Sequence, residues 1–187
     1  PEYVVTRVNL DAETKDTRIE TLKSIDYKGT VVDLDDIKCD IDEAALADVR
    51  NKACDIDPLY CNFTSGSTGL PKGVVVNHRS TIDFIEQFSK LFGFTSDDVI
   101  ANQAPFDFDV SVKDIYTALK CASTLVIVPK AFFSQPNKVI DMLYDNKVTS
   151  LTWAVSALCM VVRLHALKYK VPPAINKILF SGEMMRS

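Results

Sequence analysis

The sequence predicts an α/β fold with a mostly parallel sheet and helices on both faces of that sheet. Short apolar stretches alternate with longer amphipathic stretches through the second half of the chain. The apolar stretches, such as Thr124–Val128, are almost continuously hydrophobic, which is typical of strands buried on both faces. Strands that alternate with helices favour a parallel sheet with covered faces.

Composition restricts the classes of protein to which the chain can belong. Its 187 residues fit one domain or one large lobe, and 47% hydrophobic residues exclude general disorder. A net charge of −4 without a basic stripe argues against a nucleic-acid partner. No apolar run approaches the ~20 residues that a membrane helix needs, so we expect a soluble chain.

The five cysteines are odd in number and widely spaced, with no C-x-x-C pair, and the chain has two histidines. This pattern argues against a zinc site and predicts no metal centre within the chain. Reduced, mostly buried thiols indicate a cytoplasmic protein.

The first third of the chain predicts two strands and two helices. The β-branched stretches predict strands, and the amphipathic stretches predict a weak helix and a surface helix. In chain order these are Tyr3–Val8, the helix Ala12–Ile25, Thr30–Leu34 and the helix Asp42–Cys54.

The remainder predicts alternating helices and strands after a strand that ends at Phe63 and another at Val74–Val76. Gly93 is expected to end the first helix of this part as a cap. The helices are Asn77 or His78 to Phe92 (Ile82, Ile85, Phe88 and Phe92 buried), Asp109–Cys121 (Val112, Ile115, Tyr116 and Leu119 inward), Pro136–Asn146 and Ser156–Leu167. The strands are Val99–Ala101, Thr124–Val128, Ser150–Ala154 and Lys177–Phe180.

The segment Thr64–Gly73 separates two apolar strands and consists mainly of glycine, hydroxyl residues and one lysine. Small side chains allow a polyphosphate to approach backbone N–H groups, and the hydroxyls and Lys72 add donors. The alternative is a hairpin turn, which needs only two to five residues. The segment is therefore interpreted as an anion-binding loop.

This loop does not match the Walker A pattern, which requires glycine before the lysine and a hydroxyl residue after it. Pro71 and Gly73 occupy those two positions, and a strand is predicted to follow. A phosphate site at a helix N-terminus is therefore not expected here.

Three polar segments follow predicted strands, which suggests one composite site. They are Thr64–Gly73, Gln103–Asp109 and the residues Ser181, Gly182 and Glu183. In parallel sheets, ligands bind beyond the carboxyl ends of the strands.

These segments resemble the motifs of the adenylate-forming enzymes, also called the AMP-dependent synthetase and ligase family. Thr64–Gly73 is similar to the signature loop, Gln103–Val112 to the next motif in its amino-acid-activating form, and Ser181–Glu183 to the adenine-side loop. From Tyr60 to Glu183 the order and spacing fit throughout. The subgroup most similar in these motifs comprises D-alanine–carrier protein ligases and adenylation domains of nonribosomal peptide synthetases.

The resemblance implies a ligase that uses ATP and Mg²⁺ to convert an amino acid to an aminoacyl-adenylate. The aminoacyl group would then pass to a thiol of an acyl or peptidyl carrier protein. The implied nucleotide-binding residues are Thr64, Ser65, Gly66, Ser67, Thr68, Gly69, Lys72, Gly182 and Glu183. Most of the Mg²⁺ ligands are expected outside this chain.

The resemblance also implies that the Asp109 carboxylate pairs with the substrate ammonium, although Asp109 could instead cap the helix that it begins. Lys113 could extend to solvent, which we favour slightly, or receive an acidic substrate side chain. Phe106 and Trp153 are interpreted as core aromatics rather than stacking platforms, but Phe106 lies so close to the motif that both interpretations stay open for it. The implied substrate-binding residues are Asp109, Val110, Lys113, Thr152, Leu179 and Ser181.

Family members continue well beyond residue 187, so residues 1–187 are expected to form part of the large N-terminal lobe, without the small C-terminal lobe. The family's catalytic lysine lies in that missing lobe, so no catalytic residue is expected in this chain, which alone is expected to be inactive. Two alternatives stay open, namely an acyl-CoA synthetase for a non-amino acid and a non-catalytic nucleotide-binding module.

Overall fold

A computed structural model of the chain describes residues 3–6, 23–33, 37, 40–64, 70–181 and 184. The chain divides into two compact units, Pro1–Ala53 and Cys54–Ser187. The predicted helix Ala12–Ile25 lies outside the described residues except for its last three positions, as do Ser65–Gly69, Gly182 and Glu183.

The first unit contains two short parallel strands and one helix. Strand β1 (Tyr3–Thr6) pairs with β2 (Thr30–Asp33) in register Tyr3↔Thr30. Helix α1 (Glu43–Lys52) begins after Asp42, whose carboxylate accepts a hydrogen bond from the Ala45 N–H at 2.9 Å. No residue of α1 is buried, which confirms the predicted surface helix.

The second unit begins with an antiparallel hairpin. Strand β3 (Pro58–Thr64) pairs with β4 (Lys72–Asn77), and Thr64 lies opposite Lys72. The sequence predicted that the glycine-rich loop follows a strand of the parallel sheet. That prediction is wrong, because the loop connects two antiparallel strands. Its seven residues between the strands are too few for the crossover of a dozen or more residues that parallel strands need.

A four-stranded, wholly parallel sheet forms the centre of the second unit, in the strand order β6-β5-β7-β8. This agrees with the predicted fold class. The strands are β5 (Val99–Asn102), β6 (Thr124–Ile127), β7 (Ser150–Ala154) and β8 (Lys177–Ser181). The helices are α2 (His78–Leu91), α3 (Val110–Cys121), α4 (Pro136–Asp145), α5 (Val155–Arg163) and α6 (Ala166–Tyr169), with a 3₁₀ helix at Lys130–Ser134.

Both faces of this sheet are packed. On one face Leu151 and Trp153 join the buried residues of α4 and α5, and the Trp153 indole N–H donates to the Ala101 carbonyl at 2.8 Å. On the other face Ile100 packs with Phe94 and with Ala118 of α3. Trp153 is 2% exposed, which confirms it as a core aromatic.

Three details of the helices differ from the prediction. Ile82 and Leu119 were expected to be buried but are 63% and 71% exposed. The buried residues of α2 are instead Thr81, Ile85 and Ser89, and α3 buries the side that carries Ser111, Asp114 and Thr117. Phe92 is exposed as well. The single helix expected from Ser156 to Leu167 is split at His165, which has a left-handed φ of 55°.

Candidate functional site

The flanks of the glycine-rich segment are the end of β3 and the beginning of β4. The Thr64 hydroxyl donates to the Lys72 carbonyl at 3.4 Å, and both residues are exposed. A strand follows the segment, as predicted, so the segment does not lead directly into a helix. The predicted loop residues between these flanks, Ser65, Gly66, Ser67, Thr68 and Gly69, lie outside the described part of the chain.

Asp109 directly precedes α3, yet its carboxylate does not cap that helix. Its backbone is already helical (φ −58°, ψ −23°), and its side chain makes no capping hydrogen bond. The first turn is instead closed by Ser111, whose hydroxyl and N–H donate to the Phe108 carbonyl at 2.8 and 3.0 Å. The capping interpretation of Asp109 is therefore wrong for this structure. Its exposed carboxylate remains available to a ligand.

A cavity of about 360 Å³ lies where the hairpin, α2 and α3 meet, and Asp109 is part of its wall. Of the predicted substrate-binding residues, the cavity brings together Asp109, Val110 and Lys113. Its remaining lining residues are Tyr60 and Val76 of the hairpin, Ser80, Thr81 and Phe84 of α2, and Val112 of α3.

Lys113 lies one helical turn after Asp109 and lines the same cavity. Its ammonium donates to the Val110 carbonyl at 2.8 Å, and the side chain is partly buried. Burial lowers the pKa of Lys113, while the negative charges of Asp114 and Asp109 act in the opposite direction. The preference for a lysine extended to solvent is thus corrected, because this ammonium belongs to the cavity.

Tyr60 is a residue of this site that sequence reasoning missed. It lines the cavity from β3, and burial raises the pKa of its phenol, with further contributions from the charge of Asp109 and from Tyr116. The sequence did contain a signal for this residue, because Tyr60 lies in the strand that leads into the glycine-rich loop. A half-buried phenol beside a carboxylate can donate a hydrogen bond while it remains neutral.

Phe106 does not belong to the core, contrary to expectation. It is 59% exposed and lines two other depressions, one of about 210 Å³ together with Asp109 and one of about 380 Å³ beside Gln103. Its ring is thus available at the surface that follows β5.

His78 is the first residue of α2, and Asn77 caps that helix by accepting a hydrogen bond from the Ser80 N–H at 2.8 Å.

The other predicted substrate-binding residues lie on the two strands β7 and β8. Thr152 and Leu179 are paired neighbours, and Ser181 ends β8 opposite Ala154. Thr152 is buried on the face of the sheet that α3 covers. Thr152 and Leu179 do not line the cavity that contains Asp109.

Asp114 of α3 connects the two sets, because it follows Lys113 and its carboxyl group lies close to the Thr152 hydroxyl. Burial raises the pKa of Asp114 to about 7, although the charge of Lys113 and the Thr152 hydroxyl act to lower it. Sequence reasoning missed this residue, because a carboxylate on a helix is normally exposed.

Within the described residues, no group of three or more His, Cys, Asp or Glu side chains could hold a metal ion. No helix in the described part of the chain is both long and apolar enough to cross a membrane.

Comparison with known proteins identifies one family. The model of the AMP-binding enzymes matches residues 1–187. A D-alanine--D-alanyl carrier protein ligase of Staphylococcus aureus is 33% identical over 185 residues, which are 99% of this chain and 35% of that protein. An L-proline--[L-prolyl-carrier protein] ligase of Pseudomonas fluorescens is 32% identical over 127 residues, which are 68% of this chain and 26% of that protein.

Among solved structures, McyG A-PCP complexed with phenylalanyl-adenylate has the same fold, with a TM-score of 0.77. The match is 20% identical and covers 98% of this chain and 29% of that structure. The chain therefore spans about a third or less of the length of these three proteins.

Proposed function

The chain belongs to the AMP-binding enzyme family, and from that premise we propose that it is part of a ligase that activates an amino acid with ATP and transfers it to a carrier-protein thiol. Relatives at about a third identity are ligases of this kind for D-alanine and L-proline. The carrier protein is proposed as partner from those relatives.

The observation that supports an amino-acid substrate is the Asp109 carboxylate in the wall of the 360 Å³ cavity, free of any capping bond. A substrate ammonium offers this carboxylate a charge-assisted hydrogen bond. The Tyr60 phenol and the apolar side chains of Val76 and Phe84 line the same cavity. A carboxylic acid without an amino group would leave the same carboxylate unpaired.

For ATP we propose that the hairpin holds the β- and γ-phosphates. Lys72 supplies a positive charge and Thr64 a hydroxyl at the two ends of the loop, and both are exposed. Ser65, Gly66, Ser67, Thr68 and Gly69 would add hydroxyl and backbone N–H donors, with Gly182 and Glu183 on the adenine side. Donors fixed by two paired strands are preorganised for phosphate oxygens.

In the proposed reaction a carboxylate oxygen of the amino acid attacks the α-phosphorus of ATP. The bond from that phosphorus to the bridging oxygen of pyrophosphate breaks, and the aminoacyl-adenylate forms. A carrier-protein thiolate then attacks the acyl carbon and releases AMP, after the thiol proton has passed to solvent. The substrate carboxylate and the ATP triphosphate repel each other. The proposed contribution of this chain is to align them, with Lys72 binding the phosphates and Asp109 binding the ammonium group of the amino acid.

Mg²⁺ is the ion we propose for the triphosphate. The described residues hold no cluster of His, Cys, Asp or Glu side chains that could bind it. Its protein ligands are proposed to come mostly from outside this chain.

Lys113 bears on the identity of the amino acid. An ammonium group at the cavity wall favours a substrate whose side chain is acidic or accepts hydrogen bonds over the methyl group of D-alanine. Val110 lines the same cavity, and Thr152, Leu179 and Ser181 are proposed to complete the pocket from the sheet.

Residues 1–187 are proposed to be part of the large lobe, to be completed by the remaining length that the relatives have. On this proposal the 187 residues alone do not form an adenylate. Amino-acid-dependent ATP–pyrophosphate exchange by the isolated chain, above that of a no-protein control, would refute it.

The function is tested by ATP–pyrophosphate exchange with the protein that contains this chain, against a panel of amino acids, fatty acids and aryl acids. We expect exchange with at least one amino acid and none with simple carboxylic acids. Preferred exchange with a non-amino acid would instead identify an acyl-CoA synthetase. No exchange with any acid would indicate a non-catalytic nucleotide-binding module.

A further inference from the structure

The side of α3 that faces the sheet is polar, which is unusual for a helix that covers a buried sheet. Ser111, Asp114 and Thr117 are 1% exposed or less and follow one another at helical spacing. Apolar side chains normally occupy such positions. A buried carboxyl group and hydroxyl groups require hydrogen-bond partners to offset the loss of water.

The strands below this helix are also polar on the same face. Asn102 of β5 and both Ser150 and Thr152 of β7 are buried. Ile100 lies opposite Ser150, and side chains two residues apart share a face, so Asn102 and Thr152 lie on the face of Ile100, which packs against α3. The Asp114 carboxyl lies close enough to the Thr152 hydroxyl to be influenced by it.

Five oxygen atoms on these two surfaces lack a hydrogen-bond partner among the described residues. They are Asn102 Oδ1, Asp114 Oδ2, Thr117 Oγ1, Ser150 Oγ and Thr152 Oγ1. Folded proteins leave very few buried polar atoms unsatisfied, and the usual partner for those left over is an internal water molecule. One such water makes about three hydrogen bonds, so five oxygen atoms call for about two waters.

We propose that these five residues bind internal water molecules between α3 and the sheet, and that Asp114 is thereby a positioning residue for Asp109 and Lys113. The waters link the turn of α3 that carries Asp114 to Thr152 of β7. Lys113 is on the same turn as Asp114 and Asp109 is one turn earlier, so their positions in the cavity depend on that link. The role of Asp109 in this inference rests on the proposed function.

Water explains the composition of the site better than a cation does. Three of the five groups are hydroxyls, which both donate and accept, and water can satisfy both. A bound cation would use the oxygen atoms only as acceptors. The Asn102 amide N–H₂ already donates to the Ala104 carbonyl at 2.8 Å, and its buried oxygen atom is left as an acceptor without a partner among the described residues.

Two substitutions test the inference in the protein that contains this chain. Asp114→Asn keeps donor and acceptor capacity at the same size, whereas Asp114→Leu fills the space without hydrogen bonds. We expect ordered water density beside Asp114 and Thr152 in a crystal structure of the wild type and of Asp114→Asn. Its absence from the wild type, or a metal coordination sphere in its place, would overturn the proposal. This arm requires no enzyme activity.

The kinetic arm uses the exchange assay. Asp114→Leu is expected to raise KM for the amino acid about tenfold or more, while KM for ATP changes less than about twofold. Asp114→Asn is expected to keep both KM values close to those of the wild type. Equal increases in both KM values, or no difference between the two variants, would show that Asp114 is merely structural. Asp97→Asn removes an exposed carboxylate in the turn before β5, outside the residues that line the cavity, and serves as the matched control. If the wild type shows no exchange, the proposed function fails and the water density alone decides this inference.

Discussion

Lys177, the first residue of β8, donates from its ammonium to Asp98, which directly precedes β5, at 2.8 Å. The same carboxylate accepts the Thr95 N–H and the Thr149 hydroxyl, both at 2.8 Å. Because Thr149 directly precedes β7, one carboxylate joins three of the four strands at their amino ends. Its side chain is only 4% exposed.

Asp98→Asn is expected to lower the free energy of unfolding by about 2–4 kcal/mol, because the substitution leaves the Lys177 ammonium without its partner. Urea denaturation at pH 7 measures this. Glu86→Gln is the matched control, since it breaks the exposed pair with Lys120 and is expected to leave the free energy of unfolding nearly unchanged. Equal effects of the two substitutions would contradict the special role of Asp98.

The defect of Asp98→Asn should also depend on pH. Burial tends to raise the pKa of Asp98, but Lys177, the Thr95 N–H and the Thr149 hydroxyl together hold it below the usual value of 3.8. Because the pKa of the folded state is depressed, the stabilisation is present above about pH 4 and is lost as the pH falls below that value. The two proteins should therefore approach equal stability in acid.

The alternation of strands and helices was predictable from sequence, because the four strands of the parallel sheet are apolar runs between amphipathic stretches. The side of each helix that faces the sheet was not predictable. Ile82 and Leu119 fit an apolar stripe, yet α3 turns Asp114 and Thr117 toward the sheet. Hydrophobic periodicity cannot anticipate this arrangement, because it treats every carboxyl group and hydroxyl as exposed.

The candidate site was predictable where single residues carry a motif and not where the fold brings distant residues together. Asp109 was identified from its motif, and the structure removed the capping alternative. Tyr60 joins Asp109 across 49 positions of the sequence, which no local pattern reveals. Asp114 was overlooked because its importance depends on the sheet below it.

Two positions with a positive φ offer a paired test of backbone strain. Gly93 has φ +63° with open space around it, whereas Ala122 has φ +53° at the end of α3. Gly93→Ala should destabilise the fold by about 1 kcal/mol, and Ala122→Gly should stabilise it by up to about 1 kcal/mol. Thermal unfolding checks both. Changes of the same sign in the two variants would contradict the backbone explanation.

Asp114 predicts a pH dependence opposite to that of Asp98. Its pKa of about 7 in the folded state exceeds the usual value of 3.8 because the carboxyl is buried. The folded protein therefore holds a proton that the unfolded chain releases, and stability falls as the pH rises from about 4 to about 7. Relative to the wild type, Asp114→Asn should gain of the order of 4 kcal/mol across that range. A constant difference between the two unfolding free energies would contradict a buried, protonated Asp114.

Lys113 predicts the class of substrate side chain. In the exchange assay, Lys113→Met should lower kcat/KM for acidic amino acids about tenfold or more and should improve that for apolar ones, since the cavity loses its ammonium and gains apolar surface. Lys120→Met, another lysine of α3 outside this cavity, is the control. If the ratio of kcat/KM for acidic to apolar amino acids is unchanged in Lys113→Met, Lys113 does not select the substrate side chain.

The central claim is that Asp109 recognises the ammonium group of an amino acid. The direct measurement is exchange with the preferred amino acid and with the same acid lacking its amino group, for the wild type, Asp109→Asn and the control Asp97→Asn. The account predicts that the wild type and Asp97→Asn favour the amino acid by about a hundredfold or more in kcat/KM, and that Asp109→Asn loses most of this preference. A preference that survives in Asp109→Asn would contradict the account.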